Sequence, residues 1–181
     1  LILAEALWGA GKDADTVLGF TLGTGIGCAL INHGTVWQGK NDCAGEIWTA
    51  PYRDGILEEY VSGNAVTRLY EQHTGKHLSG TEIAALAIAG EEAAKQVWDD
   101  FAQALAYALS WTVNMLDPQT VVIGGSIIKS ANLFWEQADM SFRRYVCRSV
   151  ADSVSLKPAA LGDDAGFYCC ACSRCGCRLK H

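Results

Sequence analysis

Apolar residues recur at helical spacing from the first position, in Leu1-Ile2-Leu3-Ala4-Glu5-Ala6-Leu7-Trp8, and Gly9-Ala10-Gly11 closes that helix. The pattern then changes period. Thr16-Val17-Leu18-Gly19-Phe20 is short and almost wholly apolar, which predicts a buried strand. A second strand is expected over 27–32 and a brief one over 35–38. Residues 39–48 form a polar, glycine-rich loop, and 51–55 a turn. A helix is expected from 56 to about 70, a loop over 74–79, and a short helix over 83–89. From Glu91 onward Val97, Phe101, Leu105, Leu109, Val113 and Leu116 recur at steps of four and three, so one long helix buries a single face until Asp117-Pro118 stops it. Thr120-Val121-Val122-Ile123 predicts an apolar strand that gives way to Gly124-Gly125-Ser126. A helical stretch over 130–147 and a strand over 153–156 follow. No repeat or low-complexity linker interrupts this order before the tail, so the chain reads as one α/β unit.

The candidate chemistry lies where strands end. In Thr21-Leu22-Gly23-Thr24-Gly25-Ile26-Gly27, glycine at every second position lets the backbone turn tightly and present N–H groups to an anion, with Thr24 adding a hydroxyl. The same stretch reads equally as a tight hairpin. It is not a dinucleotide fingerprint, because a strand and not a helix follows it. Gly124-Gly125-Ser126, between a strand and a helical stretch, is a second loop able to receive phosphate. Glu46 follows a small-small pair in the polar loop and reads either as a surface carboxylate or as a group turned into a cleft. Glu58 and Glu59 read as first-turn charges complementing a helix dipole, or one of them as facing a ligand. Trp98, Tyr107 and Trp111 fall along the long helix and read as packing.

Composition narrows the classes. The chain has 181 residues, half of them hydrophobic and 19% charged, enough for a sizeable core. A net charge of −6, with no basic cluster before the last residues, argues against a nucleic-acid footprint. No apolar run is long enough to span a bilayer, and the first residues lack the basic lead of a signal peptide, so a cytoplasmic location is expected. The first residue is leucine and falls inside a helix, so the chain is expected to begin mid-protein. Five of the eight cysteines crowd into positions 169, 170, 172, 175 and 177. That tail reads as a soft-metal knuckle or as a slipped reading frame, since cysteine codons shifted by one base become alanine codons.

Taken in order, Leu22-Gly23-Thr24-Gly25-Ile26-Gly27, Gly39 with Ala44-Gly45-Glu46, Leu57-Glu58 with Ser62-Gly63, Asp117-Pro118, Ile123-Gly124-Gly125 and Gly162-Asp163-Asp164-Ala165-Gly166 resemble the ROK family of bacterial sugar kinases and sugar-responsive repressors. The resemblance covers nearly the whole chain up to Gly166. It implies an actin/hexokinase-like α/β fold, of which this chain is the C-terminal lobe, with a mixed sheet and flanking helices. Residues 1–12 would be the end of a helix entering from an N-terminal lobe, 13–168 the lobe itself, and 169–181 an aberrant tail. The resemblance further implies that Gly23, Thr24, Gly25, Gly27, Gly124, Gly125 and Ser126 bind ATP, carried with Mg²⁺, and that Glu46 and Glu58 bind sugar hydroxyls. The catalytic aspartate is expected upstream of Leu1, so this segment alone is expected to be inactive. The family's zinc knuckle between the two glutamates is replaced here by Trp48-Thr49 and a shortened Pro51-Tyr52-Arg53-Asp54-Gly55-Ile56, so no structural zinc is expected. Packing of Tyr52, Ile56 and Leu57 would then place Glu58. The family continues after Ala165-Gly166 with a glycine-alanine-alanine helix, which favours the slipped frame for the tail. The expected activity of the intact protein is transfer of the ATP γ-phosphoryl group to a hexose hydroxyl; the alternative is the effector-binding part of a sugar-responsive repressor. The resemblance implies dimers or tetramers, a homodimer among them.

Overall fold

The computed structural model describes residues 1–162 and residue 165. At its centre five strands, β1 at Thr16–Leu22, β2 at Ile26–Asn32, β3 at Thr35–Val36, β6 at Thr120–Gly124 and β7 at Ser155–Pro158, form a mixed sheet of order β3-β2-β1-β6-β7. β1 pairs antiparallel with β2, Leu22 opposite Ile26, and parallel with β6, Thr21 opposite Gly124. The glycine turn and the Gly124-Gly125 loop therefore leave the sheet side by side, as adjacent parallel strands ending at one edge require.

The alternation of side chains along β1 sorts two cores onto two faces. Leu18, Phe20 and Leu22 join Val121 and Ile123 against the large helical layer, whereas Val17 joins Ile31 and Val122 against α1, Ile2–Trp8. Gly19 faces α1 so closely that a Cβ there would stand 2.1 Å from Ile2. α1 thus packs on the face of the central sheet opposite the large helical layer.

The large layer is α2 (Gly63–Thr74), α3 (Gly80–Ile88), α4 (Glu92–Leu116) and α5 (Trp135–Tyr145), with α4 touching each of the other three. α4 realises the expected periodicity: Val97, Phe101, Leu105, Leu109 and Val113 are fully buried, and Asp117 caps it in the left-handed region with φ 43°. Trp98 packs edge-on against Phe101 and stacks on Phe134 at 5.9 Å. Tyr107 is 40% exposed and lies against Tyr52.

Several expectations change. The helix expected from residue 56 is two elements: a 3-10 turn at Leu57–Glu59, then α2, which starts only at Gly63 with the Ser62 hydroxyl accepting the Ala65 N–H at 3.0 Å. Glu58 and Glu59 are consequently not first-turn charges of α2; the Glu59 carboxylate instead accepts the Ile56 N–H at 2.9 Å. Residues 51–56 form a small hairpin of β4 (Pro51–Tyr52) and β5 (Gly55–Ile56). The helical stretch expected over 130–147 is a 3-10 segment, Ser126–Leu133, broken from α5 at Phe134, because burying that ring in the core outweighs continuing the helix. A short α6, Arg148–Ser153, then precedes β7, which starts two residues later than expected. The cysteine-rich tail and Asp163, Asp164 and Gly166 of the last motif lie outside the described residues.

Candidate active site

The turn between β1 and β2 curls on itself, with the Gly23 N–H donating to the Gly25 carbonyl at 3.0 Å, and it is tied to α2 by the Gly63 N–H donating to the Gly23 carbonyl at 2.7 Å. The N-terminus of α2 therefore opens beside the turn. The partial positive charge of that helix end and the local N–H groups favour an anion there.

A cavity of about 720 Å³ lies against this turn. Its polar rim includes Gly23, Thr24, Asn64, Ser126, Lys129 and Asn132; its apolar wall includes Ala84, Ala85, Ile88 and Leu133, with Trp98 among the lining. The start of α3 also borders it, where Ser79 and Glu82 form a reciprocal cap: the Ser79 N–H donates to the Glu82 carboxylate at 2.8 Å and the Glu82 N–H to the Ser79 hydroxyl at 3.3 Å. Hydrogen bonding from Ser79 holds the Glu82 carboxyl below its ordinary pKa. A polar rim at helix N-termini with an apolar wall behind suits a phosphorylated ligand carrying a flat base.

A separate cleft of about 340 Å³ is lined by Ile26, Gly27, Cys28, Gly45, Glu46, Trp48 and Glu58. The two glutamates, twelve positions apart on two different loops, share it. Gly45 places Glu46 there with φ 90°, its α-carbon so near the Cys28 carbonyl that a Cβ would stand 2.2 Å from that oxygen. The Trp48 indole N–H donates to the Glu46 carboxylate. Glu58 reaches the turn itself, accepting the Ile26 N–H at 3.1 Å, and Gly25 leaves it room, since a Cβ there would fall 2.2 Å from its oxygen. Burial pushes the Cys28 thiol up to about 12, so this cysteine stays neutral and unreactive beside the carboxylates. Between the two spaces lies a pocket of about 250 Å³ lined by both Thr24 and Glu58. The glycine turn is the partition between an anion-suited side and a side of paired carboxylates.

The sequence-derived candidates thus divide. Gly23, Thr24 and Ser126 line the large cavity, and Gly27 lines the carboxylate cleft with Glu46 and Glu58. Gly25 makes room for Glu58. Gly124 and Gly125 border neither: a Cβ on Gly124 would meet Leu1 at 2.7 Å, and one on Gly125, where φ is 98°, would stand 2.2 Å from the Leu22 carbonyl oxygen. They allow the end of β6 to crowd the end of β1, which brings Ser126 to the cavity. Gly125→Ala is expected to destabilise the chain by about 2–3 kcal/mol, because the clash is with backbone and the left-handed conformation adds strain. Thermal unfolding checks it; a midpoint within about 2 °C of the parent would contradict it. Missed by sequence reasoning were Asn64, Lys129, Asn132 and the α3 wall. Asn64 could have been found, since it follows Ser62-Gly63 at a helix start; the α3 alanines carry no such signal.

Among the described residues, no three His, Cys, Asp or Glu side chains converge as a metal site, and no helix is long and apolar enough to cross a membrane.

The ROK family model matches residues 1–172. The chain belongs to the ROK family. It is 30% identical to a glucokinase of Halalkalibacterium halodurans, over 91% of this chain and 57% of that protein, and 30% identical to an N-acetyl-D-glucosamine kinase of Vibrio atlanticus, over 91% and 60%. The ROK hexokinase structure from Thermus thermophilus superposes with a TM-score of 0.84 at 28% identity, over 92% of this chain and 59% of that one. This ROK chain therefore spans under two thirds of the length of these relatives, and its mixed α/β architecture is that of ROK hexokinases.

Proposed function

We propose that the chain is the C-terminal lobe of an ATP-dependent hexose kinase, with residues 1–12 leading into it from the other lobe. The observation that carries this reading is the partition by the glycine turn: Thr24 borders the anion-suited cavity, Glu58 borders the cleft it shares with Glu46, and one small pocket touches both. A phosphoryl donor and a neutral polyol would meet there.

In this reading the ATP phosphates lie along Gly23, Thr24 and the start of α2, and the base lies against Ala84, Ala85, Ile88 and Leu133. Mg²⁺ arrives with the nucleotide as part of the substrate. Glu46 and Glu58 accept hydrogen bonds from sugar hydroxyls, which a carboxylate holds more strongly than a neutral acceptor does. The attacking hydroxyl oxygen bonds to the γ-phosphorus as the bond to the leaving ADP oxygen breaks. Its proton passes to a base outside this chain. What these residues contribute is orientation and charge compensation, which dominate phosphoryl transfer.

The test is ADP release in a coupled assay on a version extended at its N-terminus to the length of the relatives, with glucose and N-acetylglucosamine as acceptors. Sugar-dependent ADP release is expected, and none from the 181-residue chain alone. Saturable sugar binding without ADP release by the extended protein would sink the kinase reading in favour of an effector-binding repressor.

A further inference from the structure

The hairpin that leads into the 3-10 turn carrying Glu58 is too small to hold itself. It has two residues in each strand, and an isolated pair of strands of this size is unstable in water. At its tip Arg53 adopts a left-handed φ of 50°, uncommon for a residue with a side chain. What surrounds Arg53 explains how it stays there. Its guanidinium donates to Asp100 of α4 at 2.9 Å, and Asp100 is only 16% exposed. The same guanidinium lies 5.5 Å from the Tyr52 ring centre and 5.4 Å from that of Tyr60. The two rings meet edge-on at 5.0 Å, and the Tyr60 hydroxyl donates to Asp54 on the other side of the tip.

These contacts run on to Glu58. Tyr60 closes the 3-10 turn in which Glu58 sits, the Leu57 N–H donates to Ala50 at 2.8 Å, and Leu57 is fully buried. Arg68 of α2 lies over the other side of the loop, 5.5 Å from the Tyr60 ring centre, and donates to the Glu59 carbonyl. Packing of Tyr52 and Leu57 is therefore only part of what positions the carboxylate. Hydrogen bonding to Asp100 raises the Arg53 pKa, so the guanidinium remains charged at any pH the fold survives.

We propose that Arg53 is a positioning residue for Glu58, a half-exposed cationic clamp between Asp100 and the Tyr52 and Tyr60 rings that keeps the hairpin, and with it the carboxylate, seated against the glycine turn. Its bearing on sugar binding rests on the kinase reading; the positioning itself does not.

The Ile26 amide reads the seating directly, because its N–H donates to Glu58. Amide hydrogen exchange of the 181-residue chain, followed by NMR, separates a clamp from an ordinary surface pair. In Arg53→Ala, Ile26 is expected to exchange about tenfold faster while Val121, Val122 and Ile123 of the central strand keep their rates. Arg53→Lys preserves the charge but not the planar stacking, and should recover part of the protection. An unchanged Ile26 rate in Arg53→Ala overturns the proposal. If that variant loses protection of the central strand as well, Asp100→Asn decides: faster exchange confined to Ile26 upholds the clamp, and no change refutes it. In the extended protein the sugar KM of Arg53→Ala should rise about tenfold with kcat held within about twofold. A faster Ile26 with an unaltered KM would leave the clamp standing and remove Glu58 from the sugar site.

Discussion

Glu5→Ala is expected to lower the stability of the chain by about 3–5 kcal/mol, a loss in the range reserved for broken buried networks. Glu5 is fully buried on α1, and its carboxyl oxygens accept three backbone N–H groups: Ala10 at 2.9 Å, Ala160 at 3.0 Å and Leu161 at 2.7 Å. One side chain thereby ties the end of the first helix to the segment after the last strand. Alanine would leave all three donors without an acceptor in a space too enclosed for easy hydration, and each such loss costs about 1–3 kcal/mol. Glu5→Gln should cost less, roughly 2 kcal/mol, because one oxygen survives while the amide nitrogen faces a donor. Thermal unfolding by circular dichroism should show a fall of about 10 °C for alanine in a chain of this size, with glutamine between it and the parent. A fall below about 3 °C for alanine, or glutamine as damaging as alanine, would show that these bonds carry little of the stability.

The second large effect is on activity. In the extended protein Glu58→Ala should reduce kcat/KM for the sugar about a thousandfold, and Glu58→Gln about a hundredfold. A hydrogen bond to a charged acceptor is worth about 1.5–3 kcal/mol, or roughly a 10- to 150-fold change, and both variants lose it. Alanine also removes the acceptor of the Ile26 N–H, loosening the turn that separates the two cavities, and misplacement of that kind costs about another factor of ten. Glutamine keeps a carbonyl oxygen for Ile26. Steady-state kinetics with both variants tests the two roles together: equal losses would mean that Glu58 does not brace the turn, and a loss under about threefold in both would mean that it does not touch sugar. Glu46→Gln should act on sugar alone, raising KM by about one order of magnitude, because its intramolecular partner is the Trp48 indole and not the turn.

Legibility in the sequence followed the range of the interactions concerned. The long helix was readable because burial of Val97, Phe101, Leu105, Leu109 and Val113 needs only the 3.6-residue period and a partner surface. The strand pair around the glycine turn was readable for a similar reason, from a buried run, a tight turn and a second run. The break at Phe134 was not, since it depends on Trp98 and Phe101 offering that ring a place to pack. Nor was the late start of α2: Glu58 and Glu59 look like first-turn charges until the Ile26 and Ile56 N–H groups are seen to claim them.

The amino-acid sequence by itself determined the α/β class, the order of the main elements, the ROK resemblance and the choice of Glu46 and Glu58 as candidates, because each is carried by local period or by motifs in a set order. Tertiary structure alone decided which candidates meet. It joined Glu46 to Glu58 across twelve positions, placed Ser126 at the cavity and Gly124 and Gly125 in the packing behind it, and brought Asp100 of α4 to Arg53. Side chains distant in sequence become neighbours only when the sheet and helices pack, and no local pattern encodes the hydrogen bonds they then exchange.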